Sequence, residues 1–279
     1  MPELPEVETI KRGISDLTGQ TIQQTIVRNP KLRYKISPTL NQELIGKKIL
    51  KISRRAKYLI LELSHGFLII HLGMSGSLKL INHQINPDSN DNTPSAPIQK
   101  HDHVDICFNS AILRYNDPRR FGMIMYVDTL ENCTLLTHLG PEPLDDKFSA
   151  NYLIKRLINR KSTIKQLVMD NQIVVGVGNI YACEALFLAK IAPTRSGSNI
   201  TKTEAALLVN TIKQVLTNAI MLGGSSLRDY KHADGNLGYF QNVHNVYAKT
   251  GQQCKVCNTV IKEQRLGQRN SFYCPSCQT

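Results

Sequence analysis

Near the start of the chain Val7, Ile10, Ile14 and Leu17 recur at spacings of three and four, which predicts one short helix over residues 5–17. Pro5 suits its first turn and Gly19 follows its end. The period then changes to two. Alternating or strand-sized apolar runs at 21–28, 48–63, 66–72, 76–81, 103–108, 111–116 and 122–128 predict strands, with Ser64–Gly66 and Asn109–Ser110 as hairpin turns. Such a succession implies an all-β domain, a sandwich or flattened barrel. The polar, Pro/Asn/Ser-rich stretch 82–99 reads as a flexible insertion between strands. Beyond residue 148 the period is helical, over 149–161, 163–170, 179–190 and 202–224. The last of these carries Leu208, Ile212, Val215, Ala219 and Leu222 on one stripe, with Gly223 and Gly224 placed to cap it. The pattern divides the chain into a β-sandwich domain with its N-terminal helix (1–137), a Pro/Gly/Asp-rich linker (138–148), a helical domain (149–240) and a short tail section (241–279).

Cysteine spacing changes the reading of that tail. Cys254 and Cys257 form one C-x2-C pair, Cys274 and Cys277 another, with sixteen residues between. Each pair presents two thiolates from a tight turn, and two pairs complete a tetrahedral site with no open position. One structural Zn2+ is expected, and its binding would supply the folding energy of a section too short for its own core. Between the pairs the residues alternate around Leu266–Gly267 as a hairpin, and Lys249, Lys255, Lys262, Arg265 and Arg269 face Glu263 alone in the section. A basic zinc hairpin suggests nucleic-acid contact, while a protein-binding zinc module is the alternative. Cys107, Cys133 and Cys183 lie on apolar stretches and are expected to be buried packing residues.

The charge balance points the same way. Lys and Arg number 34 against 22 Asp and Glu, a formal net charge of +12 that favours a polyanionic partner, nucleic acid or an anionic membrane surface. The longest apolar runs are strand-sized and broken by Glu or His, so no membrane span is expected. Glu3, Glu6 and Glu8 stand where a signal peptide would be basic and then apolar, so a cytoplasmic, reducing setting is expected. In such a setting seven cysteines argue for metal ligands and core thiols over disulfides.

Two local features could carry chemistry. Gly176 and Gly178 relax the chain before a helix at whose N-cap position Asn179 stands; exposed amides there can hold a phosphate, and a plain structural turn is the alternative. At the chain start, Met1 precedes a small residue, and its removal would leave Pro2 with a free secondary amine. A neutral secondary amine attacks an aldehydic carbon to give an iminium, cationic without any added proton, which acidifies the adjacent C–H and favours elimination. The alternatives are an ordinary terminal residue at Pro2 and helix-complementing acids at Glu3 and Glu6.

Taken together, "MPELPEVET", "RRAKYLILEL", "HLGMSGSL", "KHDHVD", "DPRRFG", "THLGPEPL", "VVGVGNIYACEALF" and "QRNSFYCPSCQ" fall in one order from end to end, and in that order they resemble the bacterial formamidopyrimidine-DNA glycosylase family. The resemblance implies an α+β multidomain fold: a β-sandwich, a helix–two-turn–helix domain and a zinc-finger hairpin, with double-stranded DNA held between domains. It implies a monomer that excises oxidised purines such as 8-oxoguanine and formamidopyrimidines and cuts the strand at the abasic site by β,δ-elimination. Pro2 matches the family nucleophile, Glu3 its proton-shuttling acid, Lys57 the proton donor of β-elimination and Arg269 that of δ-elimination. Met74, Arg119 and Phe121 match residues that enter the duplex when a base is extruded. His101, Arg160 and Asn179 match DNA-binding positions, with Lys165 near the site, and 224–240 matches a loop that closes over the lesion. The 82–99 insertion is longer than the family pattern. The sister enzyme endonuclease VIII, which prefers oxidised pyrimidines, and a catalytically dead zinc-finger DNA-binding module are the alternatives.

Overall fold

The structure is a computed structural model that describes residues 2–82, 97–131, 133–225 and 240–279. Met1, most of the 82–99 insertion and most of the 224–240 loop lie outside the described residues. The chain divides into two compact units, Met1–Leu136 with Gly223–Gly238, and Thr137–Leu222 with Tyr239–Thr279.

The first unit opens with α1 (Leu4–Gly13), which carries Pro in its first turn and a short 3-10 turn at Ser15–Leu17 beyond its end. The helix is therefore shorter than the apolar spacing predicts: Gly13, a weak helix former, is its last residue. Val7, Ile10 and Ile14 are buried in the core. The strands are β1 (Gln24–Val27), β2 (Ile49–Arg55), β3 (Tyr58–Leu63), β4 (Phe67–His71), β5 (Ser77–Asn82), β6 (Asp102–Cys107), β7 (Ala111–Asn116) and β8 (Met123–Val127), with a short α2 (Leu40–Leu44) between β1 and β2. They form two antiparallel four-stranded sheets, ordered β1-β6-β7-β5 and β2-β3-β4-β8. Segment 48–63 is two strands, not one: Arg55 pairs with Tyr58, and Ala56 reverses the chain at φ +53°. An Ala-Lys turn lacks the Gly or Asn that marks most two-residue hairpins, so the alternation runs straight through it.

Leu59, Leu61, Leu63, Leu68 and Ile70 from one sheet meet Leu78, Val104, Ile106, Leu113 and Tyr115 from the other in one core, with α1 and α2 contributing. Complete burial of each such side chain is worth roughly 1.5–3 kcal/mol. The intervening Ile69 and Met123 face the other side of their sheet, where Cys133 and flanking Leu135 and Leu136 of α3 (Thr134–Thr137) cover them. That second cover explains why β3 and β4 read as continuous apolar runs. Cys107 differs from expectation in being only half-buried, while Cys133 and Cys183 are buried.

The second unit contains α4 (Ala150–Leu157), α5 (Ile164–Val168), α6 (Asn179–Leu188) and α7 (Lys202–Met221). Ser149, Thr163 and Thr201 cap α4, α5 and α7, and Gln166 and Glu204 complete capping boxes at the last two. Leu208, Ile212, Val215 and Ala219 are buried as the stripe predicts, but Leu222 is 38% exposed because the helix ends at Met221 and Gly223 turns the chain at φ +74°. The tail section pairs β9 (Lys262–Leu266) with β10 (Arg269–Tyr273) around Gly267, and packs Val246, Ile261, Cys254 and Cys274 on Cys183 and Phe187 of α6. No helix among the described residues is long and apolar enough to cross a membrane.

Candidate functional site

Pro2 and Glu3 head α1, both buried. Glu6, one turn on, accepts the Glu3 N–H at 2.8 Å through Oε2 and the Ser225 N–H at 2.7 Å through Oε1. The Glu3 amide, next in the chain to Pro2, and the Ser225 amide thus share one buried carboxylate. Gly224, at φ +79°, brings its backbone so close that an added Cβ would stand 2.9 Å from Glu6 Oε1.

Lys57 sits half-buried in the two-residue turn after Ala56. The turn is tied to α1 by one arginine: Arg54 donates from Nε to Glu8 Oε2 at 3.1 Å and from Nη1 to the Ala56 carbonyl at 2.8 Å. Burial alone would raise the Glu8 carboxyl, but bonds to Lys11 and Arg54 outweigh it and hold it below the usual range. Across the sheet from Tyr58, His71 packs its ring 4.8 Å from the tyrosine ring and accepts the Gly73 N–H on Nδ1 at 3.0 Å. Burial first, then the charges of Lys57 and Arg33, push the His71 pKa down to about 4. It is therefore a neutral acceptor near pH 7, set at the start of the Met74 loop.

Met74 is half-buried; Arg119 and Phe121 are exposed, Phe121 by 45%, and the Arg119 guanidinium carbon lies 4.8 Å from the Phe121 ring centre. These residues come from two loops in backbone contact, since a Cβ on Gly73 would meet the Phe121 carbonyl carbon at 2.4 Å. Beneath them lies Asp117, fully buried and bonded to both loops. His101 is half-buried, its carbonyl accepting the Asp117 N–H at 3.1 Å.

In the second unit the structure gathers Lys165, Asn179 and the start of β10. Lys165, 2% exposed, donates from Nζ to Asn179 Oδ1 at 2.6 Å, Ser271 Oγ at 2.6 Å and the Asn270 carbonyl at 3.1 Å. Those acceptors match the donor capacity of an ammonium. Asn179 Nδ2 also donates to the Asn270 carbonyl at 3.1 Å. Asn179 is the first residue of α6, and Gly178 takes the N-cap position expected for it; the asparagine side chain reaches the hairpin instead of its own helix end. Arg269 is exposed at the start of β10 on this support, and Arg160 is exposed beyond α4.

The sulfur atoms of Cys254, Cys257, Cys274 and Cys277 lie within 4.8 Å of one another. Ligands about 2.3 Å from a central zinc stand about 3.8 Å apart in a tetrahedron. The Cys254–Cys277 separation of 3.9 Å and Cys257–Cys274 separation of 3.4 Å match that cage, which suits one structural zinc.

Buried acids escaped sequence reasoning, among them Asp117, Glu8 and Glu184. Asp117 and Glu8 look like turn and surface acids, and nothing local distinguishes them. Glu184 was legible as the single charge in the apolar run "NIYACEALFL". It is buried in α6 and accepts the N–H groups of Asn245, Val246 and Tyr247 at 2.8–2.9 Å, fixing the chain as it enters the zinc section.

A β-sandwich, a capped helical bundle and a zinc hairpin make this a multidomain α+β protein of the zinc-finger class. Three family patterns cover it in order: Formamidopyrimidine-DNA glycosylase N-terminal domain over residues 1–124, Formamidopyrimidine-DNA glycosylase H2TH domain over 139–231, and Zinc finger found in FPG and IleRS over 251–279. Formamidopyrimidine-DNA glycosylase of Haemophilus ducreyi is 49% identical over 280 residues, covering 100% of this chain and 98% of its own. That of Edwardsiella ictaluri is 48% identical, with 100% of both chains covered. The chain belongs to the formamidopyrimidine-DNA glycosylase family. Among solved structures, the complex of Lactococcus lactis Fpg with abasic-site DNA matches at TM-score 0.88 and 35% identity over 99% of both chains. MutM in complex with carbocyclic 8-oxo-G containing DNA matches at TM-score 0.87 and 35% identity over 100% of both.

Proposed function

We propose that the chain is a bifunctional glycosylase and abasic-site lyase that removes oxidised purines, 8-oxoguanine and formamidopyrimidines, from double-stranded DNA. The observation that carries this reading is the N-terminus itself: Pro2 is buried at the head of α1, beside the buried Glu3 and Glu6 carboxylates, where a free amine would be shielded and fixed in direction. The DNA-bound relatives named above support the substrate class.

In this reading, loss of Met1 frees the Pro2 amine. Its lone pair attacks C1′ of the damaged nucleotide, the glycosidic bond breaks, and the base departs with a proton. Ring opening gives the Pro2 iminium, with Glu3 delivering and removing protons at the sugar. The cation acidifies C2′–H; loss of that proton expels the 3′ phosphate, and a second elimination expels the 5′ phosphate. Lys57 serves the first elimination and Arg269 the second. Met74, Arg119 and Phe121 enter the stack vacated by the extruded base. His101, Arg160 and Asn179 contact phosphates, and Lys165 supports the Arg269 strand from beneath while lending its charge to the same backbone.

Duplexes carrying 8-oxoguanine opposite cytosine test the assignment against the sister activity. The expected result is base release with a one-nucleotide gap bearing phosphate at both ends. Preference for thymine glycol over 8-oxoguanine would assign the chain to the endonuclease VIII type instead. Binding without base release or strand cutting would leave only a DNA-binding module.

A further inference from the structure

Asp117 has no surface exposure, yet it stands at the centre of the loops that carry Met74, Arg119 and Phe121. Its Oδ1 accepts the Ser75 hydroxyl at 2.6 Å, and its Oδ2 accepts the Gly122 N–H at 2.8 Å and the Tyr115 hydroxyl at 3.1 Å. Ser75 Oγ in turn accepts the Arg119 N–H at 3.0 Å. One carboxylate therefore reaches the loop after Met74 directly, the residue after Phe121 directly, and Arg119 through a single hydroxyl. Its own backbone adds further ties: its carbonyl accepts the Arg120 N–H at 3.2 Å and meets His103 Nε2 at 2.8 Å.

The packing leaves these loops little freedom to move apart. Gly73 at φ +62° lies against the Phe121–Gly122 peptide, and a Cβ on Gly122 would stand 1.7 Å from the Tyr115 hydroxyl and 2.6 Å from the His71 carbonyl. Arg120 holds a left-handed φ of +57°, which turns the chain between the two exposed side chains. A buried acceptor that satisfies donors from both loops sets their relative register, because shifting either loop leaves a buried donor unmatched.

We infer that Asp117 is a positioning residue for base extrusion: it holds Met74, Arg119 and Phe121 as one preformed wedge, so that the duplex is opened by a rigid block and not by loops ordered on contact. This rests on the glycosylase reading above. A rigid wedge has its largest effect where an intact base must be driven from the stack, and its smallest on an abasic site, where no base remains to be extruded. Disordering the wedge costs the first process conformational entropy that the second largely avoids.

The test uses the zinc-loaded full chain with Met1 removed, and a duplex with 8-oxoguanine beside a 2-aminopurine whose fluorescence rises on unstacking. Asp117→Ala is expected to slow the rise and single-turnover base excision by about tenfold or more, the scale set by buried donors left unmatched. Lyase turnover on a preformed abasic site is expected to stay within about twofold. Asp117→Asn, which keeps an oxygen for the Gly122 N–H and lets Ser75 turn from donor to acceptor, is expected to restore most of the rate. Should Asp117→Ala fail to fold, Ser75→Ala removes the hydroxyl that links Asp117 to the Met74 loop and to Arg119, leaves the bonds from Gly122 and Tyr115 in place, and is expected to slow the rise by about threefold with lyase turnover within about twofold. Wild-type kinetics in the folded variants, or an equal fall of excision and lyase turnover, would overturn the inference. A wild-type enzyme that neither unstacks the probe nor releases the base would overturn the glycosylase reading instead.

Discussion

At the scale of single residues, the N-terminal unit concentrates ionisable groups whose partners fix their state. His71 is the clearest case. Its folded pKa of about 4 lies below the ordinary 6.5, so between these values the unfolded chain takes up a proton that the folded chain refuses. The histidine's contribution to stability is therefore complete above about 6.5 and is lost as the pH falls through 4. Protonation would also remove the Nδ1 lone pair that accepts the Gly73 N–H and loosen the Met74 loop. A ring-proton NMR titration is expected to place the His71 midpoint near 4, and a midpoint near 6.5 would show that the ring is neither shielded nor opposed by Lys57. Sequence alone marks Pro2 by the secondary amine that loss of Met1 would free, but singles out Lys57 and Arg119 only through the motifs they belong to. It does not foretell that Glu6, Glu8 or Asp117 is buried, because an acid's burial depends on chain segments far away: Ser225 for Glu6, Arg54 for Glu8, Ser75 for Asp117.

At the scale of elements, the strands and helices were legible wherever a period ran long enough. β4 through β8 fall within a residue or so of the apolar runs, and the stripe on α7 is buried as read, up to its end at Met221. Turns without glycine were not legible: Ala56 reverses the chain between two strands that alternate as one. Nor was the junction of α5, α6 and β10 legible, since Lys165 and Asn179 meet Asn270 and Ser271 from 91 to 106 residues away along the chain. That junction carries its own prediction. Lys165→Met removes the ammonium shared by Asn179, Asn270 and Ser271 and is expected to cost about 2 kcal/mol of stability in urea unfolding. Lys165→Arg is not expected to restore it, because a planar fork cannot replace a compact three-way donor. Full stability in Lys165→Met would show that the junction is not what holds β10.

At the scale of the whole molecule, two properties follow from composition. The four-cysteine cage lies in a short section whose small core is shared with Cys183 and Phe187 of α6, so metal binding supplies much of its order. Chelation is expected to release one zinc per chain and expose the amides of β9 and β10 to rapid hydrogen exchange; persistent protection after metal loss would show that packing on α6 suffices. The net charge of +12 should make DNA affinity fall steeply with salt, with a log–log slope of about 0.9 per phosphate neutralised. A flat response would contradict a backbone-gripping enzyme.

In the proposed function the Pro2 amine becomes covalently joined to the damaged sugar. The most direct measurement is borohydride reduction during turnover on 8-oxoguanine DNA, with the adduct digested and mapped by mass spectrometry. A reduced cross-link is expected on Pro2, absent from chains that retain Met1 and weakened or lost in Pro2→Gly. A cross-link on Lys57, or none while the strand is cut, would contradict it.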